Sequence, residues 1–354
     1  MTFGHLKIET GNAAPQLFER ARSSLRRTLF ICFMLLLALL CAVVLTSVIG
    51  SQRLPLKPSL CALLTGGGDS CGLTSQQRAI LFDIRLPRIL LGATVGAALA
   101  TAGAAYQALL RNPLAEPYLL GVSNGAAVGT MIALVFFGAH EWSRPLMAFG
   151  GALTATFAVY QLARAKIGAT PERLILAGVI VTTFLSSAIV FITTLMDATR
   201  IRSFTFWLLG DLSGTSSGLL GVAAVAALVG VAVLTWSARS LNLLMLGERD
   251  AFDLGVEVAR VRLLVFLAAS LLVGSSVASS GSVGYVGLVI PHLVRLSLGS
   301  DNRTAIPASA FCGALFVIIA DTAARTLIAP RELPVGAITA LIGAPLFIYL
   351  LRRG

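Results

Sequence analysis

The sequence predicts an all-α, polytopic membrane protein of about ten transmembrane helices, and three observations carry that expectation. Hydrophobic residues make up 56% of the 354 and charged residues only 12%, which is more apolar surface than one soluble core can hide. The mean hydropathy is +0.88. Apolar blocks close to the roughly 20 residues that cross a hydrocarbon core recur along the chain, separated by short polar, proline-bearing connections. The whole of 1–354 is expected to form a single transmembrane domain.

Residues 1–27 are polar and carry Arg20, Arg22, Arg26 and Arg27 ahead of the apolar run 28–50. That run is longer than the roughly 7–15 residue core of a signal peptide, and no A-x-A site follows it, so it reads as the first span. Further spans are expected at 86–110, 118–138, 145–163, 173–196, 216–236, 261–280, 286–298, 305–324 and 334–351. The run 286–298 is short and holds Pro291 and Arg295, so it needs its neighbours to satisfy its backbone. Between Arg85 and Gly129, two apolar blocks are joined by RNPLAEP at 111–117. Its prolines lack amide donors and disfavour helix at the preceding residue, which predicts a helical hairpin. Gly92, Gly96, Ala100 and Ala104 fall four apart in the first block, as do Gly121, Gly125 and Gly129 in the second. Such small-residue stripes let helix backbones approach closely in lipid.

Ten spans put both termini on one side. Placing them, the hinge and the long connection 239–262 in the cytoplasm assigns the larger share of the 27 Lys+Arg there, as positive-inside topology requires. Arg85, Arg88, Arg325 and Arg331 are exceptions at the outer ends of spans, either snorkelling to headgroups or facing an acidic partner. Cys61 and Cys71 flank ALLTGGGDS in the first outer connection, where an oxidising compartment permits a disulfide; a bridge and two free thiols both stay open. Cys32, Cys41 and Cys312 read as small apolar fillers.

Several function classes are disfavoured. The net charge of +11 comes without a basic stripe interleaved with aromatics, which argues against nucleic acid. The chain has no G-x-x-x-x-G-K-[ST] loop, so it does not hydrolyse ATP by that route. An ion-coupled carrier, the alternative class, wants ionisable groups in mid-span, and Asp321 has Arg325 four residues on as a pairing partner. His5, His140 and His292 have no second histidine at ligand spacing, so no catalytic residue, metal site or cofactor is expected on this chain, and His292 reads as structural. The serine of GVSNGA at 121–126 reads as packing. The connection 239–262 contains LNLLMLGERDAFDLGVEV, two helix-sized pieces broken at Gly247 and Gly255, with Glu248, Asp250 and Asp253 beside Ala251, Phe252 and Leu254. It could lie on lipid, but its acidic tilt suits a protein groove better than an anionic leaflet.

RLPR at 85–88, QALLRNPLAEPYLLGVSNGA at 107–126, LGERDAFDLGV at 246–256, GLVIPHLVRL at 287–296 and ELPVGAITALIGAPLFIYLL at 332–351 together resemble the FecCD-like permeases. These are the membrane subunits of type II ABC importers for haem, iron-siderophores and cobalamin. The resemblance runs in order over nearly everything after about residue 75. It implies a cobalamin-importer-permease-like fold and a homodimer with the substrate path between the copies. Two ATP-binding subunits would carry the ATP and Mg, and a periplasmic substrate-binding protein would dock outside. The chain would then sit in a bacterial inner membrane with both termini cytoplasmic. By the same resemblance, Arg85, Arg88 and Arg325 dock the binding protein, and Asn112 and Leu114 form an inner gate. Leu246, Gly247, Glu248, Arg249, Asp250, Ala251, Leu254 and Gly255 couple to the ATPase. The implied cargo is haem or another iron chelate, with cobalamin as the alternative. Phe204, Phe206 and Trp207 either line an outer vestibule or sit as interfacial aromatics.

Overall fold

The structure is a computed structural model that describes residues 13–50, 52, 54–66, 71–137, 142–164, 169–214 and 216–353. Every regular element among them is helical. α1 (Ala13–Val48) is followed by the short α2 (Leu56–Thr65) and by α3 (Ser75–Ala79), which passes through a π-helical turn at Ile80–Arg85 into α4 (Leu86–Leu109). Thr74 opens that run with a capping box, its hydroxyl accepting from the Gln77 amide while the Gln77 side chain accepts from the Thr74 amide. Two donors that a helix start would leave orphaned are thereby satisfied.

After the hinge come α5 (Val122–Phe136), α6 (Ser143–Ala163), α7 (Pro171–Thr194), α8 (Ala198–Leu208) and α9 (Ser217–Trp236). The long connection folds as α10 (Ala238–Leu246) and α11 (Glu248–Asp253), ahead of α12 (Val258–Ser280), α13 (Val286–Leu298), α14 (Asn302–Thr326) and α15 (Val335–Arg353). Each expected span finds a helix. Seven described segments are long and apolar enough to cross a bilayer, while α5, α13 and α15 are shorter apolar helices. α1 reaches well upstream of residue 28, and α2 and α8 add helices between spans.

α4 is the centre of the bundle, buried along nearly its whole length with α14, α12, α9 and α13 packed around it. A helix that is apolar on all sides belongs in such a place. The glycine stripes make the packing possible. A Cβ on Gly96 would land on the Gly313 carbonyl of α14, and one on Gly313 would land on the Gly96 carbonyl, so the two backbones touch directly. Gly125 and Gly129 of α5 do the same against Gly151 and Met147 of α6. In the last turn of α4 the buried Tyr106 is accommodated, since its hydroxyl bonds the Phe266 carbonyl at 3.2 Å and Ser270 Oγ at 2.5 Å, as a buried hydroxyl requires.

α4 runs from the bundle end that holds Arg88 to the end that holds the 111–117 hinge and α10. α14 runs the other way, from Asn302 beside Asn242 of α10 up to Arg325 beside Arg88.

Candidate functional site

At the Arg88 end, the three arginines assigned to docking by resemblance lie close together and are already engaged within the chain. Arg85, Arg88 and Arg325 are 4%, 7% and 6% exposed. Arg85 Nη1 donates to the Ser47 and Val48 carbonyls at 2.8 and 3.1 Å, and Nη2 donates to the Gln52 carbonyl. Ser47 and Val48 hold the last carbonyls of α1, beyond the intrahelical ladder, and although the Leu54 amide also reaches the Val48 carbonyl at 3.3 Å, this guanidinium acts as a helix C-terminal cap. Arg88 lies against Asp321, with Nη2 to Oδ1 at 2.9 Å, and reaches Glu332 Oε2 at 2.6 Å. Arg325 Nε meets the other Asp321 oxygen at 3.0 Å, the pairing expected from their spacing. The physical reason is desolvation, because a buried guanidinium without carboxylates or carbonyls around it is too costly to keep. Together with Gln52, Ile84 and Glu332, the three arginines line a small cleft open at this end.

Nearby, Cys61 and Cys71 are joined as a disulfide with 5.6 Å between Cα atoms, linking the middle of α2 to the segment before α3. Gly67, Gly68, Asp69 and Ser70 between them lie outside the described residues. Cys41 is exposed on α1, whereas Cys32 and Cys312 are partly buried. Phe204 is buried and stacks on Trp207 at 6.2 Å, so it belongs to the packing and not to a vestibule wall. Phe206 stands open with the Arg202 guanidinium 5.8 Å from its ring.

At the opposite end, the hinge is a built turn. Arg111 takes a left-handed backbone, φ +50°, uncommon for a side-chain-bearing residue. The Asn112 amide donates to the Gln107 carbonyl at 3.1 Å, and Asn112 Oδ1 accepts from the Leu114 amide at 2.9 Å. Of the two expected gate residues, Asn112 shapes the turn and Leu114 projects, 44% exposed. Behind them, three side chains that sequence reasoning missed tie this region together, two from the hinge side to the α12–α13 connection and one from α4 to α13. The Tyr118 hydroxyl donates to the Val283 carbonyl and accepts from the Val283 amide, both at 3.0 Å. Glu116 Oε1 accepts from the Tyr285 amide at 3.4 Å, and burial pushes its carboxyl above the usual range. Gln107 Nε2 donates to the Leu288 carbonyl at 3.2 Å, one turn before Pro291. The signal for these contacts was SGSVGY at 280–285, a Gly/Ser break between two apolar runs that cannot continue as helix.

The connection after α9 has two faces. Leu241, Leu244 and Ala251 are buried, while Leu246, Phe252 and Leu254 are 67%, 71% and 61% exposed. Gly247 and Gly255, at φ +152° and +83°, supply the breaks that turn α10 into α11 and end α11. Glu248 pairs with Arg262, and Arg262 also donates to the Ala169 carbonyl at 2.6 Å, so the segment is pinned to the start of α12 and the approach to α7. Arg249 and Asp250 are exposed. Ala251, expected among the coupling residues, is wholly buried and supports the segment from beneath. Phe252, not among them, is its most exposed apolar side chain.

His292 packs edge-on to Phe347, with ring centroids 6.1 Å apart; His5 and His140 lie outside the described residues. Among the described residues, no group of three or more His, Cys, Asp or Glu could hold a metal.

The profile of the FecCD transport family matches residues 35–353. The cobalamin import system permease protein BtuC of Halobacterium salinarum is 45% identical over 282 residues, covering 79% of this chain and 75% of that protein. The hemin transport system permease protein HmuU of Yersinia pestis is 41% identical over 279 residues, covering 77% of this chain and 83% of that protein. A solved structure described as an inward-facing conformation of a metal-chelate type ABC transporter matches with a TM-score of 0.81 and 32% identity, covering 92% of this chain and 99% of that one. With the family profile spanning residues 35–353 and relatives above 40% identity over more than three quarters of the chain, the chain belongs to the FecCD transport family.

Proposed function

We propose that this chain is the permease subunit of an ATP-driven importer, working as a homodimer in a bacterial inner membrane with the α10 end and both termini in the cytoplasm. The observation that carries the proposal is the exposed apolar face of Leu246, Phe252 and Leu254 on a segment braced by Glu248 and Arg262. An exposed apolar patch on a rigid mount, in a connection between spans, fits a protein groove. The groove is that of an ATP-hydrolysing partner, which supplies the ATP and Mg. Closure of two such partners moves α10 and α11, tilts the spans and alternates access. The cargo is haem or another iron chelate, handed over by a periplasmic binding protein. A second reading, cobalamin, is favoured by the 45% identity to the Halobacterium salinarum permease.

The test is reconstitution in proteoliposomes with the ATPase and binding protein, comparing uptake of haemin and cyanocobalamin. ATP-dependent uptake that needs all three components is the expected result. Concentration of haemin by the purified chain alone under a proton-motive force would favour an ion-coupled carrier instead.

Docking of the binding protein falls to the cleft floored by Arg85, Arg88 and Arg325. Three guanidiniums against the two carboxylates of Asp321 and Glu332 leave a positive field, which steers an acidic lobe even though the side chains are engaged. Affinity for the binding protein should therefore fall as ionic strength rises; a flat salt dependence would count against this surface.

A further inference from the structure

Asn242 lies one turn before the exposed Leu246 on α10 and reaches the start of α14. Its Nδ2 donates to Asp301 Oδ1 at 2.6 Å, and its Oδ1 accepts from the Asn302 amide and from Asn302 Nδ2 at 2.9 and 2.8 Å. Asn302 is fully buried, and its Oδ1 accepts from Arg295 Nη2 of α13 at 3.0 Å. The same Nη2 donates to the Ala104 carbonyl of α4 at 3.0 Å, and Nη1 donates to the Ser300 carbonyl at 3.3 Å. The α10 segment, α14, α13 and the C-terminal part of α4 thus meet in one continuous polar chain.

Two features set Arg295 apart from Arg88 and Arg325 at the other end. All its hydrogen-bond partners are neutral oxygens, so it is not there to neutralise a carboxylate. Among the described residues its Nε is buried without a partner, and a buried donor left unpaired marks a bonding set incomplete in this arrangement. The guanidinium is a planar fork whose donors sit at fixed angles, which an ammonium cannot reproduce. Further along, the first turn of α13 abuts Tyr285 and Val283, the residues that brace the hinge through Glu116 and Tyr118.

We propose that Arg295 is a positioning residue that carries displacement of α10, through Asn242 and Asn302, along α13 to the hinge at 111–118. The inference rests on the ATP-driven importer reading. In proteoliposomes holding the full complex, ATP hydrolysis and uptake are measured side by side with haemin or cyanocobalamin, whichever the wild-type complex carries. Arg295→Lys should leave hydrolysis near the wild-type rate while uptake falls about tenfold, so that more ATP is consumed per cargo molecule. Asn242→Ala, at a half-buried position, should shift the same ratio in the same direction and carries the test if Arg295→Lys does not assemble. The double variant should be no worse than Arg295→Lys alone, because links in series are not additive. Parallel loss of hydrolysis and uptake, an unchanged ratio, or losses that multiply would overturn the relay while leaving the importer reading in place. A wild-type complex without ATP-dependent uptake would overturn both.

Discussion

Asp321→Leu should leave little folded protein. The carboxylate is held at 2.9 Å from Arg88 Nη2 and 3.0 Å from Arg325 Nε, with its side chain 2% exposed. Removing it strands two guanidiniums in a buried site beside Arg85, with Glu332 able to answer only one of them. Breaking a buried pair in this way costs about 3–5 kcal/mol, a large part of the roughly 5–15 kcal/mol that holds a protein folded. The yield of monodisperse protein in detergent and its melting temperature measure the loss. Glu332→Gln is the comparison, since its side chain is 52% exposed and such a pair contributes only about 0–1 kcal/mol. If Asp321→Leu melted like Glu332→Gln, the site would be solvated and the burial argument wrong. For the same reason, reversing Arg88 to glutamate would test the fold before it tested docking.

Leu254→Asp should give the opposite pattern, an intact permease that has lost its partner. Leu254 is 61% exposed, so the new carboxylate is hydrated in the free chain. Seating the segment in an apolar groove would strip that hydration at a cost of several kcal/mol, and about 2.7 kcal/mol already means a hundredfold in affinity. Co-purification of the ATPase should fail, with Phe252→Asp behaving alike because it shares the exposed face. Normal co-purification and transport by both variants would show that the segment lies on the lipid surface.

What the sequence made legible was whatever depends on neighbours along the chain. Apolar runs placed the spans, and i,i+4 spacing paired Asp321 with Arg325. Hydropathy reports contact with lipid and not helix ends, so it missed that α1 extends through the arginine-rich stretch and that α8 is helical. The Thr74 capping box is written in the sequence as T-x-x-Q ahead of the apolar run, a helix start that hydropathy alone does not register. The arginines show the deeper limit. Arg88 finds Asp321 from 233 positions away and Glu332 from 244, and Arg85 is held by backbone carbonyls that no side-chain pattern encodes. A charged residue at the end of a span reads as outward-facing until its partners are known. At the hinge, the prolines made the turn legible, but its bracing was not, since Asn112 spends its side chain on its own turn and the contacts of Glu116 and Tyr118 come from the α12–α13 connection.

The contact between Gly96 and Gly313 has a mechanical consequence. Where side chains interdigitate, two helices can slide by hopping between rotamers; where backbone meets backbone, there is nothing to flex. α4 and α14 therefore behave as a single strut, and α13 is fastened to it where Gly287 lies against Gly103. Compliance has to lie elsewhere. α7 is buried only over its first half, at Pro171, Leu174, Ala177, Gly178 and Val181, and its second half presents Phe184, Val190 and Phe191 outward. Only one face of that half, through Leu185, Ile189 and Ile192, packs on the bundle, so side-chain contacts that can slide and re-form are found there and not between α4 and α14.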